Sequence, residues 1–158
     1  MSTEVKFEDG NLVVTRVFDA PRDLVFEAWV ETSKVQEWWG CAQCTSVRSE
    51  IEPRVGGRYD HHMTIEGAGE VPGHATLVEF DPPRRLAYSS ASPDGSSAEM
   101  TVTVDFSEVD GGTKVRLVHA GIPDMRVPGD QELREIVREG WSAAFGKLAK
   151  FLGSASVR

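Results

Sequence analysis

Apolar and polar residues alternate along most of the middle of the chain, and this pattern predicts a series of β-strands. Each alternating stretch is short and is followed by Gly, Pro or Asp residues, which favour turns. Strands joined by such short connections pair antiparallel, with one apolar face directed to the core. The predicted strands are 11–18, 45–51, 58–65, 74–80, 85–90, 98–106 and 113–119.

The last part of the chain has a different period. Apolar residues recur there at spacings of three and four, which predicts one long amphipathic helix over about residues 129–152. This helix must bury its apolar stripe, and the face of the sheet is the one apolar surface large enough to cover it. The stripe consists of Leu133, Val137, Trp141, Ala144, Phe145, Leu148 and Leu152.

Two short helices are predicted after the first strand. Pro21 suits the first turn of the first helix, because proline lacks the N–H that is unpaired there in any case. The second is predicted over residues 32–39, with a Thr or Ser cap at its start and Gly40 at its end. Together the elements predict an α+β fold in which a curved antiparallel sheet of about seven strands wraps around the long helix. We expect residues 1–158 to form a single domain.

A sheet that wraps a helix tends to leave a gap between the two, and such gaps serve as ligand pockets. The pattern alone leaves open whether side chains fill this gap. Strand parity and helix period point one set of side chains into it, beneath a lid formed by the double tryptophan. The candidate ligand-binding residues are Trp38, Trp39, Tyr59, His61, Met63, Tyr88, Met100, Val102, Leu117, His119, Val137 and Trp141.

Charge excludes some classes of partner. The net charge is −8 at pH 7, so the surface repels phosphate backbones, and we expect no nucleic-acid partner. No apolar stretch is long enough for a membrane span, and residues 1–11 lack the basic and apolar regions of a signal peptide. The sequence therefore predicts a cytoplasmic protein. It leaves the oligomeric state open, a homodimer included.

Two cysteines, Cys41 and Cys44, have the spacing of a metal-binding or redox pair. A redox pair would be expected at the start of a helix, whereas this pair follows one. A metal site needs further ligands, and His61 shares the inward parity of its strand. One prediction is therefore a site for zinc or another thiophilic ion formed by Cys41, Cys44 and His61. The alternative is two reduced thiols on a loop and hydrogen-bonded histidines.

Four segments resemble a known family. Residues 18–40 resemble the start of the heat-shock-protein-ninety ATPase activator homologue family, which lies in the START-like (SRPBCC) superfamily. Residues 50–59, 79–89 and 140–152 resemble its Gly-Gly-Arg turn, its Asp-Pro-Pro-Arg-Arg-Leu strand and its terminal helix. The resemblance implies the helix-grip fold of the birch-pollen allergen. Members of the superfamily bind lipids, sterols, polyketides and other apolar molecules, and some are cyclases or hydroxylases.

Three functions follow as hypotheses. The favoured one is binding of a small apolar or amphipathic molecule between helix and sheet. The second is a cyclase-type or hydrolase-type enzyme that uses His61 or His119 as acid or base, although the sequence contains no catalytic triad pattern to which we could assign catalytic residues. The third, a chaperone accessory with a chaperone partner, rests on the family resemblance alone.

Overall fold

A long C-terminal helix packs against the inner face of an antiparallel sheet in the computed structural model, which describes residues 2–156. Within that range the strands are β1 (Glu4–Glu8), β2 (Asn11–Phe18), β3 (Cys44–Ile51), β4 (Tyr59–Ile65), β5 (Gly69–Gly73), β6 (Thr76–Asp81), β7 (Arg85–Ala91), β8 (Glu99–Val109), β9 (Gly112–Ala120), β10 (Arg126–Val127) and β11 (Gln131–Glu132). The helices are α1 (Arg22–Val30), α2 (Thr32–Val35) and α3 (Leu133–Ser156).

The main sheet has six strands in the order β1-β2-β9-β8-β7-β6, and every neighbouring pair is antiparallel. Strict alternation fixes the register of its central hairpin, because a shift by one residue would turn the apolar face to solvent. Val104 of β8 faces Leu117 of β9, and both side chains are fully buried. This face forms the floor on which α3 lies.

A second ladder, β3-β4-β5, continues beside β6. The two ladders are joined by a bridge between Arg58 and Thr76 and by the Tyr59 N–H, which donates to the Ala75 carbonyl at 2.9 Å. The inward faces of both ladders therefore lie on the same side of the sheet, and both are directed towards α3.

Helix α1 closes one end of the core. The Phe26 ring packs edge-on against Phe106 of β8 at 5.1 Å between ring centroids, and it also contacts Phe80 of β6 at 5.7 Å. The neighbouring Trp29 is fully buried between α1 and α3, with ring contacts to Trp141 and Phe145. These aromatic side chains fix both helices against the sheet.

The predicted α+β helix-grip architecture is confirmed, with differences in the strands. The first strand, β1, escaped prediction because its polar residues face solvent and its alternation is short. The predicted strand 74–80 begins at Thr76, and a separate strand that was not predicted, β5, ends before it at Gly73. The second short helix ends at Val35, so Trp38 and Trp39 stand on the turn that follows it.

The long helix was predicted over about 129–152, whereas α3 begins at Leu133. Residues 126–132 instead form the short β10–β11 hairpin, with Asp130 in a left-handed conformation at its turn. None of the helices in the described part of the chain combines the length and the apolar character needed to cross a membrane.

Candidate ligand-binding site

An apolar groove of about 420 Å³ runs between α3 and the inner faces of β4 and β5, with one residue of β8 beside them, and it is open to solvent. Helix α3 supplies one wall with Leu133, Ile136, Val137, Gly140, Trp141 and Ala144. The opposite wall consists of Met63, Ile65, Val71 and Met100, and the ends are formed by Trp39, Gly40, Cys41 and Pro93. We call this feature the groove.

Local structure explains why these side chains meet. The α3 residues are spaced by three or four, so they form one stripe on the helix. On β4, Met63 and Ile65 lie two residues apart and share a face, and Val71 of β5 pairs with Met63 in the register. The sequence periods that predicted the core thus also direct a second set of apolar side chains to the groove.

Trp39 forms the floor at one end of the groove. Its ring stacks on the His61 imidazole, with 3.7 Å between ring centroids and 12° between planes. It also meets Trp141 edge-on at 5.4 Å and Tyr59 at 5.8 Å. Trp39 therefore separates the groove from the aromatic core behind it.

The two residues of the double tryptophan, Trp38 and Trp39, have different environments. Trp38 is fully buried, and its indole N–H donates to the Ala28 carbonyl of α1 at 2.9 Å. Of the predicted lid, Trp39 lies at the groove and Trp38 anchors the turn to α1.

His61 is buried behind Trp39, with 4% of its surface exposed. Its Nδ1 lies 2.8 Å from the Ser49 hydroxyl, and its Nε2 has no hydrogen-bond partner among residues 2–156. Burial lowers the His61 pKa to about 3, since the charged imidazolium would lose its hydration there. The side chain is therefore neutral at physiological pH.

His119 is held in a similar state on β9. Its Nδ1 accepts the indole N–H of Trp141 at 3.1 Å, and burial lowers its pKa to about 4. Neither His119 nor His61 lines the groove. A general acid or base must reach the proton that it transfers, so these positions give no support to the acid–base hypothesis.

Tyr59 and Tyr88 stack on each other behind the groove, with 4.6 Å between ring centroids. The Tyr59 hydroxyl donates to the Trp29 carbonyl at 2.8 Å. Burial raises the pKa of both phenols, well above the usual value for Tyr59. Both are therefore neutral packing residues.

The structure divides the twelve predicted ligand-binding residues into two groups. Those that line the groove are Trp39, Met63, Met100, Val137 and Trp141. Those that lie in the core behind it are Trp38, Tyr59, His61, Tyr88, Val102, Leu117 and His119. Parity identified the inward face but could not show how far along that face the core is filled.

Several groove residues escaped prediction as site residues, above all Ile136, Gly140, Ile65 and Val71. A signal was present for Ile136 and Gly140, because they flank the apolar stripe of α3 on one side. Val71 lies in a strand that contains Gly and Pro, two residues depleted in strands, so no pattern marked it.

Cys41 lines one end of the groove and Cys44 lies beside it next to Gly40, and both are free, partly buried thiols. Among residues 2–156, no three His, Cys, Asp or Glu side chains are arranged to hold a metal. His61 is instead stacked on Trp39 and bonded to Ser49. The predicted set of Cys41, Cys44 and His61 is therefore not assembled in this structure.

Solved structures share this architecture. Protein Ms6760 from Mycobacterium smegmatis is 22% identical, with a TM-score of 0.79 and coverage of 98% of this chain and 99% of that one. Protein CV1439 from Chromobacterium violaceum is 23% identical, with a TM-score of 0.77 over 90% of this chain and 96% of that one. At these identities the likeness shows the fold.

A search of curated proteins found no match. The family model described as "Activator of Hsp90 ATPase homolog 1-like protein" matches residues 19–153, which is most of the chain and includes the groove. The START-like resemblance found in the sequence is thereby confirmed. The chain belongs to the family of Activator of Hsp90 ATPase homolog 1-like proteins.

Proposed function

We propose that this protein binds a small apolar or amphipathic molecule in the groove between α3 and the sheet. The observation that carries the proposal is the groove itself, a cavity of about 420 Å³ with almost purely apolar walls. Its size lies in the range of small-molecule pockets, roughly 300–1,000 Å³. The family and fold are those of ligand-binding helix-grip domains in general.

The walls define the kind of ligand. Met63, Ile65, Val137 and Trp141 offer apolar surface, so the buried part of the ligand is hydrocarbon or aromatic. A polar group buried against such walls would lose its water hydrogen bonds without replacement. Any polar group on the ligand therefore remains at the open side of the groove.

Gly140 provides a variant that fills the groove without disturbing the core. A Cβ at Gly140 meets no atom within 4 Å, and the position lies inside α3, so a larger side chain extends into the groove. Gly146 is the matched control, since it lies on the same helix, has the same open space at Cβ and does not line the groove.

Native mass spectrometry with a lipid and metabolite library tests the proposal. We expect the wild-type protein and Gly146→Leu to retain the same ligand at one molecule per chain. Gly140→Leu should weaken that binding by at least about tenfold, because its side chain occupies the ligand's volume. Equal binding by Gly140→Leu and the wild type, or no ligand from the whole library, would contradict the proposal.

The family description favours a second function, stimulation of a chaperone ATPase. Measurement of the ATPase rate of the cell's own Hsp90-type chaperone, with and without this protein, tests it. A rate that rises with protein concentration and saturates would support this function. An unchanged rate would leave the groove as the functional site.

A further inference from the structure

Two thiols are held together at one end of the groove by a β-turn. The Cys44 N–H donates to the Cys41 carbonyl at 3.1 Å, which closes a four-residue turn over 41–44. Such a turn keeps its first and last Cα atoms within about 7 Å of each other. Both side chains are partly exposed, and Cys41 lines the groove.

The thioether sulfur of Met63 lies close to the Cys44 thiol. A Cβ placed on Gly40 would lie 2.9 Å from the Cys44 Sγ and 3.3 Å from the Met63 Sδ. The two sulfur atoms thus approach the same point, and the absent side chain of Gly40 leaves room for them. Gly40 has a φ of +97°, a conformation that glycine adopts freely. Cys41 and Met63 both line this part of the groove.

A cation stands beside the sulfur cluster of Cys41, Cys44 and Met63. The Lys147 ammonium on α3 donates to the Trp39 carbonyl at 2.9 Å and to the Cys41 carbonyl at 3.3 Å. It also interacts electrostatically with both thiols. The charge on Lys147 favours the Cys44 thiolate, the form in which cysteine binds metals, but burial is the larger effect and raises the pKa of the Cys44 thiol.

The donor set selects the kind of ion. Thiolate and thioether sulfur are soft ligands that favour copper(I), whereas structural zinc prefers four ligands drawn from thiolate, imidazole and carboxylate. Two thiolates and one monovalent cation carry a net charge of −1, which Lys147 offsets.

We propose that Cys41, Cys44 and Met63 form a binding site for a soft monovalent metal cation of the copper(I) class. When the metal–sulfur bonds form, the two thiol protons pass to solvent, and neither the metal nor the sulfur changes oxidation state. The site goes beyond the proposed function and does not depend on a ligand in the groove.

Anaerobic titration of the reduced protein with copper(I), in competition with a coloured chelator, tests the proposal. We expect one ion per chain. Cys41→Ser and Cys44→Ser should each weaken binding by well over about tenfold, and Met63→Leu should weaken it measurably. The matched controls, Met125→Leu and His61→Phe, should bind as the wild type does, because neither residue belongs to the sulfur cluster.

Two further measurements keep the proposal testable if a cysteine variant fails to fold. In the wild-type protein, copper(I) should protect both Cys41 and Cys44 from alkylation, as read by mass spectrometry. X-ray absorption of the loaded protein should show sulfur as the sole metal neighbour. Unprotected thiols, a nitrogen neighbour, equal loss of binding in His61→Phe, or tighter binding of zinc than of copper(I) would each overturn the proposal.

Discussion

Individual side chains behind the groove are polar groups held in a neutral state. His61 and His119 are both buried, and each accepts or shares one hydrogen bond at Nδ1, with Ser49 and Trp141 respectively. Such groups stabilise the fold only while they stay uncharged, because a buried charge without a partner costs several kcal/mol. The stability of the protein should therefore depend on pH.

We expect the free energy of unfolding to be greatest above about pH 6.5 and to fall as the pH is lowered towards 4. In this window the unfolded chain protonates its histidines, whereas His61 and His119 in the fold have pKa values of about 3 and 4. Each histidine contributes a slope that approaches about 1.4 kcal/mol per pH unit. Urea unfolding between pH 7 and pH 4.5 measures the slope.

Variants identify the groups responsible. His61→Phe keeps a ring against Trp39 and removes one titrating group, so its slope should be smaller than that of the wild type. Val55→Thr alters an exposed side chain that carries no titrating group and should leave the slope unchanged. Identical slopes for all three proteins would show that the buried imidazoles do not control the pH dependence.

Sequence patterns predicted which way these residues point but not what they touch. Alternation placed His61 and His119 on inward faces, and both are inward. Whether an inward residue lines a cavity or a packed core depends on side chains from distant elements. His61 is covered by Trp39, which lies on a turn after α2, and strand parity carries no information about that turn.

At the scale of elements, the two ends of α3 have different tasks. Phe145 and Leu148 pack into the core, where Phe145 meets Phe18 of β2 at 5.8 Å between ring centroids. Ile136 and Val137 line the groove nearer the start of the helix. The same helix thus anchors the fold at one end and provides a binding wall at the other.

Glycines inside α3 weaken the helix, and one of them can be replaced at no steric cost. Gly146→Ala should raise the free energy of unfolding by up to about 1 kcal/mol, because its Cβ meets no atom within 4 Å and alanine favours helix. Gly112→Ala is the opposite case, since its Cβ would lie 2.2 Å from the Phe18 carbonyl oxygen. Thermal and urea unfolding compare the two, and a destabilised Gly146→Ala would contradict this account of the helix.

The elements that could be predicted were those with a strong period. The strands over β7, β8 and β9 and the helix α3 have long apolar patterns, and their existence and order followed from them. β5 did not, because its stability comes from pairing with β4 and not from its own residues, among them Gly69, Pro72 and Gly73.

At the scale of the molecule, the groove results from the way α3 crosses two ladders. The six-stranded sheet packs against the second half of the helix and also reaches Trp141 through His119, whereas β4 and β5 face the first half across open space. The sequence predicted the helix and the sheet but not this space, because the distance between them depends on the packing of Trp29, Trp39 and Trp141. The central claim is that the open space is a ligand site.

Chemical-shift mapping with the ligand found by native mass spectrometry tests that claim most directly. Trp39 and Trp141 have indole N–H groups, and Met63 and Met100 have methyl groups. Ligand binding in the groove can therefore be observed as shifts of these signals in nitrogen and methyl spectra. The account predicts that the largest shifts occur at these four residues, while Met125 and Trp38 change little. Shifts concentrated elsewhere, or spread evenly over the protein, would contradict it.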